Sequence, residues 1–317
     1  MADAVEALGI AKKYGERLAV EDLTFSVASG EVLGFLGPNG AGKTSAIRVL
    51  TTILRPTRGR FSVAGIEHTR PTEIRRRIGV LPESAGYPER QTAEEYLRFH
   101  ARLYGQTGAS ARAVAGRLLE EVGLAERRHS LISSFSRGMR QRLGIARTLV
   151  NDPLVVFLDE PTKGLDPVGQ RQILDNVRRI ATERGAAVLL STHLLTEVEE
   201  NCSRVLILNR GRVVTEGTVA EVVQHAAAPR SGRIRVAPGN LVRATVALAR
   251  ALEVEQVIAN GRPGWLTVTF APTADPAGNG TLNGAVRALL DDEIPVLAFE
   301  LEGARLSDAF LAMTEAA

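Results

Sequence analysis

The chain has 317 residues, 44% of them hydrophobic and 24% charged, the balance of a folded globular protein of about two domains and not of a disordered, collagen-like or coiled-coil chain. A net charge of only +3 and 4% aromatic residues lack the clustered basic and stacking side chains of a nucleic-acid binder. Every apolar run falls far short of the ~20 residues that span a bilayer, and the single cysteine, Cys202, excludes an internal disulfide and a cysteine metal cluster.

The first ten residues carry acids and no basic flank before an apolar stretch, which predicts a cytoplasmic chain. From Asp22, alternation of Leu23, Phe25 and Val27 predicts a strand; Ser29-Gly30 turns it into a second, fully apolar strand that runs into glycines. After Lys43, the spacing of Ile47, Val49, Leu50 and Ile53 predicts a helix that stops at Pro56. Residues 88–150 read as a helical subdomain, with a capping box at Thr92 and Glu95, a closing Gly105 and a second stripe at Val114, Leu118 and Val122. Short apolar runs at 154–158, 187–190 and 205–208 alternate with helices, as in a parallel sheet covered on both faces.

The reading is therefore α/β, with a first domain over 1–222. An alanine-, proline- and serine-rich linker is expected at 223–232, and a small α/β domain over 233–317. The latter reads strand, helix, hairpin, helix and strand, a βαββαβ order that fits a ferredoxin-like module, with a closing helix over 306–313.

The chemistry concentrates in the first domain. Gly37-Pro38-Asn39-Gly40-Ala41-Gly42-Lys43-Thr44, followed by Ser45, lies between strand and helix as a phosphate-binding loop requires. Its glycines let backbone N–H groups converge on phosphate oxygens, Lys43 supplies a mobile charge, and the Thr44 hydroxyl suits Mg²⁺. Lys43 is one of only four lysines. At the end of a later apolar strand, Asp159 is placed to hold Mg²⁺ and Glu160 to polarise an attacking water. Arg75, Arg76 and Arg77 read as a solvated helix face, and His68, His100, His129 and His225 share no metal-ligand spacing.

Further along come Phe135-Ser136-Arg137-Gly138-Met139, then Glu160-Pro161-Thr162-Lys163-Gly164-Leu165-Asp166-Pro167, then Ser191-Thr192-His193. In this order the segments resemble the ATP-binding subunits of ABC transporters, over roughly residues 4–220. The resemblance implies ATP and Mg²⁺ as cofactors, Ser136 and Gly138 as the signature loop, Asp166 in the D-loop and His193 as the switch histidine. It also implies Tyr14 as the aromatic that stacks on adenine. Glu83 stands where the family usually has glutamine and is a third candidate for the magnesium shell beside Thr44 and Asp159. The signature loop reads FSRGM where LSGGQ is common.

In this family the signature loop completes the ATP site of the opposite subunit, which implies a partner that is a second copy of the chain. The tail, 301–311, is similar to that of ATPases paired with ABC-2 type exporters of the daunorubicin-resistance kind. The expectation is an ATP-hydrolysing motor at the cytoplasmic face of the membrane, acting on a separate integral membrane permease that carries a drug or lipid-like substrate, with no nucleic acid. The alternative is a soluble ABC ATPase with a nucleic-acid or ribosomal partner. Against it stand the lack of a long coiled coil between Thr44 and Ser136 and the presence of a single such domain.

Overall fold

Strands β1 (Asp3–Tyr14) and β2 (Arg17–Ala28) form a long antiparallel hairpin, and β1 also pairs antiparallel with β4 (Arg58–Val63). Between them in the chain come β3 (Val32–Leu36) and α1 (Lys43–Leu50). The chain continues through β5 (Ile66–Glu67), α2 (Pro71–Arg77) and β6 (Ile78–Leu81), then α3 (Ala93–Leu103), α4 (Gly108–Glu121) and α5 (Arg137–Thr148). Next are β7 (Val155–Asp159), α6 (Pro167–Arg184), β8 (Ala187–Thr192), α7 (Leu195–Asn201), β9 (Arg204–Asn209) and β10 (Arg212–Thr218). After α8 (Val219–His225) come β11 (Ser231–Val236), α9 (Leu241–Arg250), β12 (Val254–Ala259), β13 (Trp265–Phe270), α10 (Asn279–Asp291) and β14 (Val296–Glu302). This computed structural model describes residues 3–225, 231–251, 254–259, 262–270, 279–302, 306–307 and 310.

Two compact units divide the chain, residues 1–216 and 217–317. In the first, a four-stranded sheet of order β2-β1-β4-β5 accompanies a six-stranded sheet of order β10-β9-β3-β8-β7-β6. Strands β9, β3, β8, β7 and β6 run parallel, and β3, β7 and β8 are buried along their whole length. Their period-two alternation splits the apolar side chains between two cores. Leu33, Phe35, Val155, Phe157, Ala187 and Leu189 join α1 and the antiparallel sheet. Val32, Val156, Leu158, Val188 and Leu190 face the other way, into a core with Leu97, Leu118, Leu143 and Ile173 from the helices.

The caps read from sequence are present. Thr92 Oγ1 accepts from the Glu95 N–H at 3.2 Å, and Glu95 Oε2 accepts from the Thr92 N–H at 2.8 Å, while Gly105 follows α3 with φ of 84°. Arg75, Arg76 and Arg77 are exposed, and Arg75 donates to the hydroxyl and carbonyl of Thr52, just past the end of α1. No helix among the described residues is long and apolar enough to cross a membrane.

In the second unit, β11 to β14 form an antiparallel sheet of order β12-β13-β11-β14. Ile234, Val236, Leu266, Val268 and Phe270 from the strands bury against Ala244, Leu248, Ala285 and Leu289 from α9 and α10. Where the sequence suggested a linker at 223–232, α8 extends to His225 and β11 starts at Ser231, and residues 226–230 lie outside the described ones. Of the expected closing helix, Leu306 is buried and Ala309 and Met313 lie outside the described residues.

Candidate nucleotide site

The ends of parallel strands gather the chemistry. Apolar β3 delivers the chain to Gly37 just past its C-terminal end, in the middle of the sheet, and the loop turns back into α1 through Gly42, which is the helix N-cap with φ of 108° and no side-chain cap. A Cβ at Gly42 would overlap the Ala19 carbonyl oxygen, so both backbone hand and space require glycine there. The first N–H groups of α1 are thus left without an internal partner, and they carry the positive end of the helix dipole.

Lys43 is buried, 6% exposed. Its Nζ donates to the Gly37 carbonyl at 2.6 Å and the Pro38 carbonyl at 3.3 Å, and lies 3.5 Å from Glu160 Oε1. A buried ammonium needs such partners; two are carbonyls of the loop itself and the third is the acid after β7, so the charge is held at the cradle.

Strand β7 ends on Asp159, 3% exposed, and the next residue, Glu160, is 7% exposed with φ of 51°. A left-handed glutamate is uncommon and costs free energy. Here the Glu160 N–H donates to the Ser191 carbonyl on β8 at 3.0 Å, and Glu160 Oε2 lies 2.7 Å from His193 Nδ1. Burial pushes the Asp159 carboxyl up; the hydroxyls of Thr44 and Ser191 oppose this, and the charges of Glu83 and Glu160 add to it. Its Oδ1 is buried without a hydrogen-bond partner that meets the geometric criteria.

A cleft of about 470 Å³ is lined by Tyr14, Arg17, Ala19, Pro38, Asn39, Gly40, Ala41, Gly42, Lys43, Thr44, Ser45, Glu83, Glu160 and Lys163. Tyr14 is 42% exposed at its mouth, its hydroxyl 3.5 Å from Ser45 Oγ and its ring under Lys12 Nζ, 5.3 Å away. Ser136, Gly138 and Asp166 do not line it. Ser136 caps α5, accepting from the Met139 N–H at 3.2 Å, and Asp166 caps α6, accepting from the Gly169 N–H at 3.0 Å. The two helix starts adjoin, since a Cβ on Gly138 would lie 3.9 Å from Leu165 Cδ2.

Sequence reasoning gave no role to Lys163, whose Nζ lies 2.5 Å from Glu83 Oε1, nor to Arg17. The available signal was scarcity: Lys163 is one of four lysines and sits inside a motif segment. No group of three or more histidine, cysteine or acidic residues that could hold a metal by itself occurs among the described residues.

Comparison with known proteins agrees with this geometry. The family described as ABC transporter matches residues 20–163. The daunorubicin resistance ATP-binding protein DrrA3 of Streptomyces coeruleorubidus is 38% identical over 99% of this chain and 97% of its own. The Nod factor export ATP-binding protein I of Paraburkholderia xenovorans is 38% identical over 69% of this chain and 72% of its own. Among solved structures, a dimeric ATP-binding cassette in a post-hydrolysis state with ADP and Pi is 25% identical, with a TM-score of 0.62 over 68% of this chain and 98% of that one. Phosphate cradle, buried acid pair and full-length likeness together make this chain a member of the ABC transporter family, an ATP-binding and ATP-hydrolysing subunit related to the daunorubicin-resistance ATP-binding proteins.

Proposed function

We propose that the chain is the motor subunit of an ABC-2 type exporter, in which two copies bind Mg²⁺-ATP face to face and drive a separate permease from the cytoplasmic side of the membrane. The observation that carries this reading is the uncapped start of α1 with Lys43 beside it, opposed across the cleft by buried Glu160. The cleft suits the nucleotide. Its N–H groups and lysine match phosphate, and the partnerless Asp159 Oδ1 is a buried acceptor awaiting a donor or cation.

Residues 37–45 would hold the phosphates, Thr44 and Asp159 with Glu83 the magnesium ion, and Tyr14 the adenine face. Bound magnesium supplies charge neutralisation of the phosphates. Glu160 orients a water and takes its proton, and His193 fixes the Glu160 carboxylate through Nδ1. Ser136, Gly138 and Asp166, away from their own cleft, would serve the cleft of the second copy. The dimeric relative bound to ADP and Pi supports this arrangement, and the Nod factor export relative supports outward transport. The second unit is proposed to be ferredoxin-like, on the support of its βαββαβ order and antiparallel β12-β13-β11-β14 sheet.

Two variants test the site. Lys43→Ala should lose ATP binding in a fluorescence titration, whereas Glu160→Gln should bind ATP normally and lose about 10²–10⁴-fold in hydrolysis. Binding that survives Lys43→Ala, or turnover that survives Glu160→Gln, overturns the assignment. Reconstitution with its permease in vesicles tests transport, with ATP-dependent efflux as the expected result.

A further inference from the structure

Glu83 brings a third carboxylate to a site that must accept a polyanion. Asp159 and Glu160 are already buried side by side at the end of β7, and each uncompensated acid near the cleft repels the phosphates. Lys163 Nζ, 2.5 Å from Glu83 Oε1, supplies the compensation. Glu83 leaves β6 and Lys163 follows β7, and these two strands are parallel neighbours, so the sheet itself sets the two side chains at one mouth of the cleft.

Lys163 feels charges of both signs. Glu83 and then Glu160 attract it, while the Arg137 charge opposes them. The Arg137 guanidinium occupies the space that a Cβ on Gly164 would fill, so glycine at 164, with φ of 69°, lets the arginine close onto the turn next in sequence to Lys163. The Lys163 hydrogen bond holds the Glu83 carboxyl below its usual range, with Lys43 and Arg48 adding smaller pulls against burial.

We propose that Lys163 is a positioning residue for ATP binding that acts through Glu83: the ion pair turns the acid at 83 into a locally neutral unit, and the two residues function only together. The proposal rests on the reading of this cleft as the nucleotide site. It makes Lys163 unnecessary once Glu83 is neutral. A lysine that touched the phosphates directly would instead be needed whatever stood at 83.

A double-mutant cycle in the full chain separates these cases, read as the dissociation constant of a fluorescent ATP analogue with and without Mg²⁺. Lys163→Ala should weaken binding about fivefold at low salt, the scale of an exposed ion pair, and less at high salt. Glu83→Gln with Lys163→Ala should bind as Glu83→Gln alone does, and Lys163→Arg should stay close to the parent. Equal losses for Lys163→Ala in the parent chain and in the Glu83→Gln background would show direct phosphate contact and overturn the proposal, as would no loss in either. Lys43→Ala is run alongside: if it leaves binding intact, the nucleotide-site reading fails, whereas loss there with a flat Lys163 cycle sinks only the pair. Circular dichroism of each variant excludes misfolding as the cause.

Discussion

Glu160 holds a left-handed backbone that a side chain rarely adopts, and the strain buys position: its N–H reaches Ser191 while its carboxylate lies between Lys43 and His193. Another titratable side chain, His100, shows a different response to burial. It packs edge-on to Tyr96 with ring centroids 4.6 Å apart, and burial followed by the Arg147 charge pushes its pKa down from 6.5 to about 4. Because the folded pKa is depressed, the unfolded chain binds more protons between those values. The contribution of His100 to stability is thus complete above about pH 6.5 and is lost as pH falls toward 4. Urea midpoints at pH 7 and pH 5 should drop more for the parent than for His100→Phe, and an NMR titration should place the His100 midpoint near 4. A midpoint near 6.5 would contradict the burial argument.

At the scale of single elements, α3 shows how local chemistry fixes a boundary. Its reciprocal Thr92 and Glu95 bonds satisfy donors that the helix leaves free. Thr92→Ala should cost about 1 kcal/mol of unfolding free energy, measured by urea denaturation, with no change in ATP affinity. This box was legible in sequence because all its partners lie within four residues. So were the glycine loop and the apolar strands that end on Gly37 and Asp159.

The hairpin partner β1 and strand β4 were not legible, and the reason is geometric. Along β1 the register shifts between Asp3 and Val5 and again between Ala7 and Ile10, so apolar and polar residues do not alternate regularly. Three exposed residues, Arg58, Gly59 and Arg60, open β4. The pairing of Glu83 with Lys163, 80 positions apart, was hidden for another reason: it depends on β6 lying beside β7 in the sheet, which no local pattern encodes.

For the whole molecule, the division of labour follows from where the residues lie. Among the described residues, those lining the cleft belong to the first unit, between Tyr14 and Lys163. The second unit has its own core of Ile234, Leu248, Leu266 and Phe270. Its contribution is therefore predicted to fall on assembly rather than on ATP binding by the monomer. A chain ending at Thr218 keeps β10 whole and removes α8, whose Val222 is buried. Made in the Glu160→Gln background, so that bound ATP persists, this shortened chain should bind ATP with the affinity of the full chain. In analytical ultracentrifugation it should dimerise more weakly with ATP. Equal dimer affinity for the two lengths would leave the second unit with no part in joining two copies. A loss of monomer ATP binding would instead show that the first unit does not fold as an independent body, against the separate cores seen in the structure.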